Sequence, residues 1–76
     1  MNYRSKLIML SEEREQVKLS NPDENSFIYQ SCMSMFDDYA EHLILESNTF
    51  ELREYMNYDE DRLPVINWEE IIKLQD

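Results

Sequence analysis

NPDENSFIYQSCMSMFDDYAEHLILE, residues 21–46, decides how the rest of this 76-residue chain is read. Asn21 can accept a backbone N–H as an N-cap. Pro22 fits the first helical position, where the N–H it lacks would have no intrahelical partner, and Glu24 stands three residues after Asn21, where it can reach back. With successive residues about 100° apart, Ile28, Cys32, Met35, Phe36, Tyr39 and Leu43 fall on one stripe, and Gln30, Ser34, Asp37 and Glu41 fall nearly opposite. The spacing predicts a long amphipathic helix over 22–46, its stripe in the core and its acids outward. Met33 and Ile44 flank the stripe on one side and Phe27 and Leu45 on the other, so the helix is expected to be covered from more than one direction, by shorter helices or by another chain.

The segments on either side are short enough to be packing material for this spine. Tyr3, Leu7, Leu10 and Val17 share a helical face, interrupted by Arg14, and Ser11 to Gln16 are mostly good helix formers, which predicts a helix over 2–19. The competing reading is a strand over Tyr3 to Leu10 and another over Gln16 to Ser20, since Ile8, Met9 and Leu19 lie off the helical stripe. Asn48 with Glu51, and Asn67 with Glu70, repeat the Asn-x-x-Glu start pattern and predict helices over 49–57 and 67–75. Between them Pro64 blocks helix continuation and Tyr58 to Pro64 forms an acidic loop. The expected fold is all-α, a small bundle of about four helices around a long central helix in a single domain spanning 1–76; the alternative is α+β with an N-terminal hairpin.

There is no glycine, and that absence excludes several activities. Phosphate-cradling loops and the dinucleotide fingerprint need glycine where backbone approaches phosphate, so nucleotide binding by either route is excluded. Tight hairpins lose their best turn residues as well, which shifts the reading toward helices. A single cysteine, Cys32, leaves no intrachain disulfide, and a reducing compartment is expected. Leu7 to Leu10 is too short for a signal-peptide core and nothing approaches the roughly 20 apolar residues of a membrane span, so the expectation is a cytoplasmic protein that does not enter a membrane.

Candidate chemistry fails on spacing. Asn57, Asp59 and Asp61 alternate like the first ligands of a calcium loop, but Arg62 stands where that loop needs glycine and Trp68 where it needs a bidentate carboxylate. His42 is the only histidine, with Asp38 and Glu46 four residues to either side as ordinary surface partners. Ten residues of one helix hold Cys32 and His42 about 15 Å apart, too far for a nucleophile and its base. Asp37, Asp38 and Glu41 lack the Glu-x-x-His arrangement of a bundle metal site. The sequence therefore predicts no catalytic residues, no metal and no cofactor.

Charge is the remaining signal. Seventeen acidic against seven basic residues give a net −10, which disfavours direct contact with nucleic acid and favours a basic protein surface. The carboxylates cluster as Asp37, Asp38 and Glu41; Glu51 and Glu54; and Asp59, Glu60 and Asp61, with Tyr55 and Tyr58 as rigid anchors beside them. Carboxylates so grouped can imitate a phosphate track. The functional expectation is a non-enzymatic acidic module that inhibits or regulates a basic, nucleic-acid-binding protein. Phage-encoded inhibitors of host nucleic-acid machinery and bacterial immunity proteins offer an analogy, although no motif here matches either. The alternative is a small assembly subunit whose apolar helix faces complete a homodimer or a larger complex.

Overall fold

The computed structural model describes residues 2–20, 23–48 and 50–75. Its elements run α1 (Tyr3–Ser20), α2 (Phe27–Ser47), α3 (Phe50–Arg53), β1 (Met56–Tyr58), β2 (Pro64–Ile66) and α4 (Trp68–Ile72). The chain is mostly helical, with two long helices and two short ones, and carries a two-stranded antiparallel sheet.

Helix α1 starts where the sequence places it. The Asn2 side chain accepts from the Ser5 N–H at 2.7 Å, and the Asn2 carbonyl accepts from Lys6 N–H. Leu7, Leu10, Ser11 and Arg14 then share one face, and the first three are buried. Ser11 is fully buried but satisfied: its hydroxyl donates to the Ile8 carbonyl at 2.7 Å and accepts from Gln75 Nε2 at 2.7 Å, which ties the chain's end to α1.

Helix α2 starts later than the sequence predicts. Asp23 to Ser26 form a turn closed by the Ser26 N–H to the Asp23 carbonyl, and the Asp23 carboxylate also accepts from Asn25 N–H. Ser26, in extended backbone, is the cap, accepting from Tyr29 N–H at 3.5 Å. Asn21 and Pro22, the predicted cap and first residue, lie outside the described residues. At the far end Asn48 adopts φ 51°, a left-handed C-cap. The residue expected to start the next helix instead stops this one.

The core joins α1 and α2 to everything after them. Leu7 and Leu10 meet Ala40, Leu43 and Ile44, closed over by Leu52, Met56, Ile66, Trp68 and Ile71. Phe36 and Tyr55 pack at its margin. The molecule measures 35 × 33 × 18 Å, and the short dimension leaves room for about two layers of elements. The α1–α2 hairpin is one layer; α4 packs on α1 and β2 on α2 to make the other.

The sheet corrects the all-α expectation, and the strands lie in the second half of the chain rather than at the N-terminus. Met56 pairs with Ile66, Asn57 with Val65 and Tyr58 with Pro64. Among the described residues of the predicted helix over 49–57, only Phe50–Arg53 are helical. Nor do the helices surround a central one: α1 and α2 are comparable in length, and α3 and α4 are four and five residues long. The last helix begins beside Asn67 as predicted, but without a side-chain cap bond. Asn67 instead gives its backbone N–H to the Tyr55 carbonyl at 2.8 Å, extending the hairpin, while Glu70 pairs with Lys73.

Candidate partner-binding surface

The eight predicted carboxylates occupy three places. Asp37, Asp38 and Glu41 lie on successive turns of α2, Asp37 and Asp38 exposed and Glu41 half-buried. Glu51 sits on α3 and Glu54 in the turn after it, both exposed. Asp59, Glu60 and Asp61 are exposed at the tip of the β-hairpin, beside exposed Tyr58. Tyr55 is half-buried against the core, so its ring serves packing first. Among the described residues the acids in ion pairs are Glu15 and Glu70, and no carboxylate of the predicted set is neutralised by a base of its own chain.

Two members of the set have structural work that the sequence does not announce. Asp37 Oδ1 accepts from the indole Nε1–H of buried Trp68 at 2.6 Å, across 31 residues of chain. On the other side the Arg14 guanidinium lies 4.8 Å from the centre of the same ring, a cation–π contact. Arg14, which interrupts the apolar face of α1 in the sequence, is thus where α1 meets α4. Trp68 is held from both long helices, and only a residue close to the end of the chain makes sense of the two polar positions.

Asp59 organises the hairpin tip. Its backbone N–H donates to the Leu63 carbonyl, and Arg62 N–H donates back to the Asp59 carbonyl, each at 3.0 Å. Its side-chain Oδ1 accepts from the N–H groups of both Asp61 and Leu63 at 2.9 Å. Arg62 takes φ 63° in the left-handed region. Together these make a three-residue loop, a turn followed by a left-handed residue, built without the glycine that usually fills the last position. Glu60 and Asp61 project from this frame with their carboxylates uncommitted by any hydrogen bond among the described residues.

The remaining titratable candidates stay apart. Cys32 and His42 both lie within α2, the first half-buried and the second exposed, and the rise of the helix separates them as the sequence predicts. No ion pair joins His42 to Asp38 or Glu46 among the described residues.

The apolar stripe of α2 is the larger correction. Of its predicted core residues only Leu43 is buried; Cys32 and Phe36 are half-buried, and Ile28, Met35 and Tyr39 are exposed at 69, 70 and 57%. Ile44, placed on a flank, is fully buried, as is Ala40. The covered face is rotated from the most apolar one because α3, β2 and α4 all return to the same side. The uncovered face forms an open groove of about 470 Å³ between α1 and α2, floored by Leu10, Cys32 and Phe36 and edged by Met9, Met35 and Tyr39. Among the described residues no helix is long and apolar enough to cross a membrane. Compared with protein families, characterised proteins and solved structures, the chain matches none.

Proposed function

We propose that this protein is a non-enzymatic acidic binding module that inhibits or regulates a basic, nucleic-acid-binding protein by occupying the place of a phosphate backbone. One observation carries the reading. In a chain of net charge −10, the carboxylates of α2, α3 and the hairpin tip find no basic partner among the described residues, so their field is turned outward. The contact set is Asp38, Glu41, Glu51, Glu54, Glu60 and Asp61, with Tyr58 as the exposed anchor; Asp37, Asp59 and Tyr55 support it from positions with packing or hydrogen-bonding duties. Such a surface speeds encounter with a basic partner and repels nucleic acid. A second reading, a small assembly subunit, is favoured by the exposed apolar groove of α1 and α2.

The test uses the residues that carry charge without carrying structure. A variant with Asp38→Asn, Glu54→Gln, Glu60→Gln and Asp61→Asn keeps the Asp37 and Asp59 hydrogen bonds. Tagged wild-type protein captures basic nucleic-acid-binding proteins from a cell lysate at about 50 mM salt and releases them toward about 0.5 M, where screening is several times stronger. The neutralised variant captures them weakly at either concentration. A captured set unchanged by both salt and neutralisation rules the acidic surface out.

A further inference from the structure

The groove between α1 and α2 belongs to none of the acidic surface, and its chemistry differs. On α2, Cys32, Met35 and Tyr39 line the groove three and four residues apart, and exposed Ile28 continues the same helix face four residues before Cys32, the spacing of a helix-on-helix seam. On α1 the facing line is Lys6, Met9, Glu13 and Val17, again three and four apart. Two seams side by side, each at helical period, ask for helices as the occupant.

The charges on the groove select which helices. In a chain carrying ten excess negative charges, this face carries one lysine and one glutamate, so it offers nothing to the basic partner proposed above. Lys6 and Glu13 stand two turns apart on α1, about 10 Å by the helical rise, with Met9 and Leu10 between them. If α1 meets a second α1 running the opposite way, centred on Met9 and Leu10, Lys6 of each copy faces Glu13 of the other. The face is complementary to itself.

The area is also sufficient for a pair. Met9, Met35 and Tyr39 in the groove, Ile28 beyond its end on the same face of α2, and the partly exposed Cys32 and Phe36 present roughly 500 Å² of apolar surface per copy, taking about 100 Å² for each half-exposed large side chain. Doubled, that reaches the roughly 1,000 Å² a specific interface needs, before any polar rim is added. A patch of this extent is at the upper end of what a monomer leaves in water.

We infer that this face is the interface of a homodimer in which two α1–α2 hairpins pack against each other about a two-fold axis, α1 antiparallel to α1 of the second copy. Each copy then gains the third layer that its 18 Å thickness lacks, and the acidic hairpin tips stay outside the interface. The inference rests on this face of α1 and α2 and not on the acidic surface. It gives a concrete form to the assembly reading and stands or falls separately from the acidic-binding reading.

The test is the mass of the purified full chain by sedimentation velocity, from low micromolar to millimolar concentration. The expected result is a shift from 9.3 kDa toward twice that mass. Met35→Glu, on an exposed position that the folded monomer tolerates, weakens association by about tenfold or more, with an unchanged circular dichroism spectrum. Phe50→Glu, on α3 and 93% exposed away from the groove, leaves it unchanged. Lys6→Glu weakens association, and adding Glu13→Lys to it restores the pair. A chain that stays monomeric at millimolar concentration, whether or not another protein's helix binds the groove, overturns the inference, as does a dimer that Met35→Glu leaves intact. A double swap no better than Lys6→Glu alone overturns the antiparallel arrangement.

Discussion

Trp68 shows how far apart in sequence a cause and its effect can lie. Its ring is buried, its N–H would lose its partner without Asp37, and the Arg14 guanidinium lies against the ring. Removing the acceptor leaves a buried donor, so Asp37→Ala is expected to cost about 1–2 kcal/mol, near the low end for a charged acceptor because the carboxylate is otherwise exposed. Asp37→Asn costs less, since an amide oxygen still accepts. Asp38→Asn, one residue on and facing water, stays within about 0.5 kcal/mol. Urea titration followed by the fluorescence of this single tryptophan separates the three; equal stabilities for Asp37→Ala and Asp38→Asn would remove Asp37 from the fold. None of this is legible in the sequence, where Asp37 reads as one more acid on a polar face and Arg14 as a blemish on an apolar one. The pairing partner of each is 31 and 54 residues away respectively, and local period carries no information about it.

Elements were legible where a long period fixed them, and illegible where one residue type serves two purposes. Helices α1 and α2 follow from runs long enough for the 3.6-residue period to show. Asn48 misleads because asparagine caps a helix at either end: with its side chain as an acceptor it starts one, and with its tolerance of left-handed backbone it ends one. The hairpin was hidden by the lack of glycine. Its strands are three residues each, too short to show alternation, and its turn places Arg62 where glycine would be the signal. The Asp59 carboxylate offsets that choice by gathering two N–H groups of the loop. Arg62→Gly is therefore expected to stabilise the protein by up to about 1 kcal/mol, since the relief of left-handed strain exceeds the added entropy of the unfolded chain. For a chain of this length that raises Tm by about 4–8 °C per kcal/mol. Arg62→Val, β-branched at the same φ, should lower it; a Tm that does not separate glycine from valine would show that the turn is not strained there.

The molecule as a whole carries its uncompensated carboxylates on α2, α3 and the hairpin tip, and salt acts on its stability and on its charge-driven association in opposite directions. Among the described residues the Lys18–Glu15 and Lys73–Glu70 pairs, at 3.8 and 3.0 Å, have exposed lysines and lose little to screening, and the Arg14–Glu15 pair, at 3.6 Å, is half-buried and screened less. The uncompensated carboxylates repel one another in the folded chain more than in the expanded one, so screening favours the folded state. Stability should therefore rise with ionic strength: Tm in about 0.5 M sodium chloride exceeds Tm in about 20 mM by several degrees, at a fixed protein concentration. Association with a basic partner should fall across the same range, because there the same carboxylates attract. The four-site neutral variant, Asp38→Asn, Glu54→Gln, Glu60→Gln and Asp61→Asn, should flatten both slopes at once. A Tm that falls as salt is added would mean that the carboxylates are held in stabilising pairs, and the outward field on which the binding reading depends would not exist.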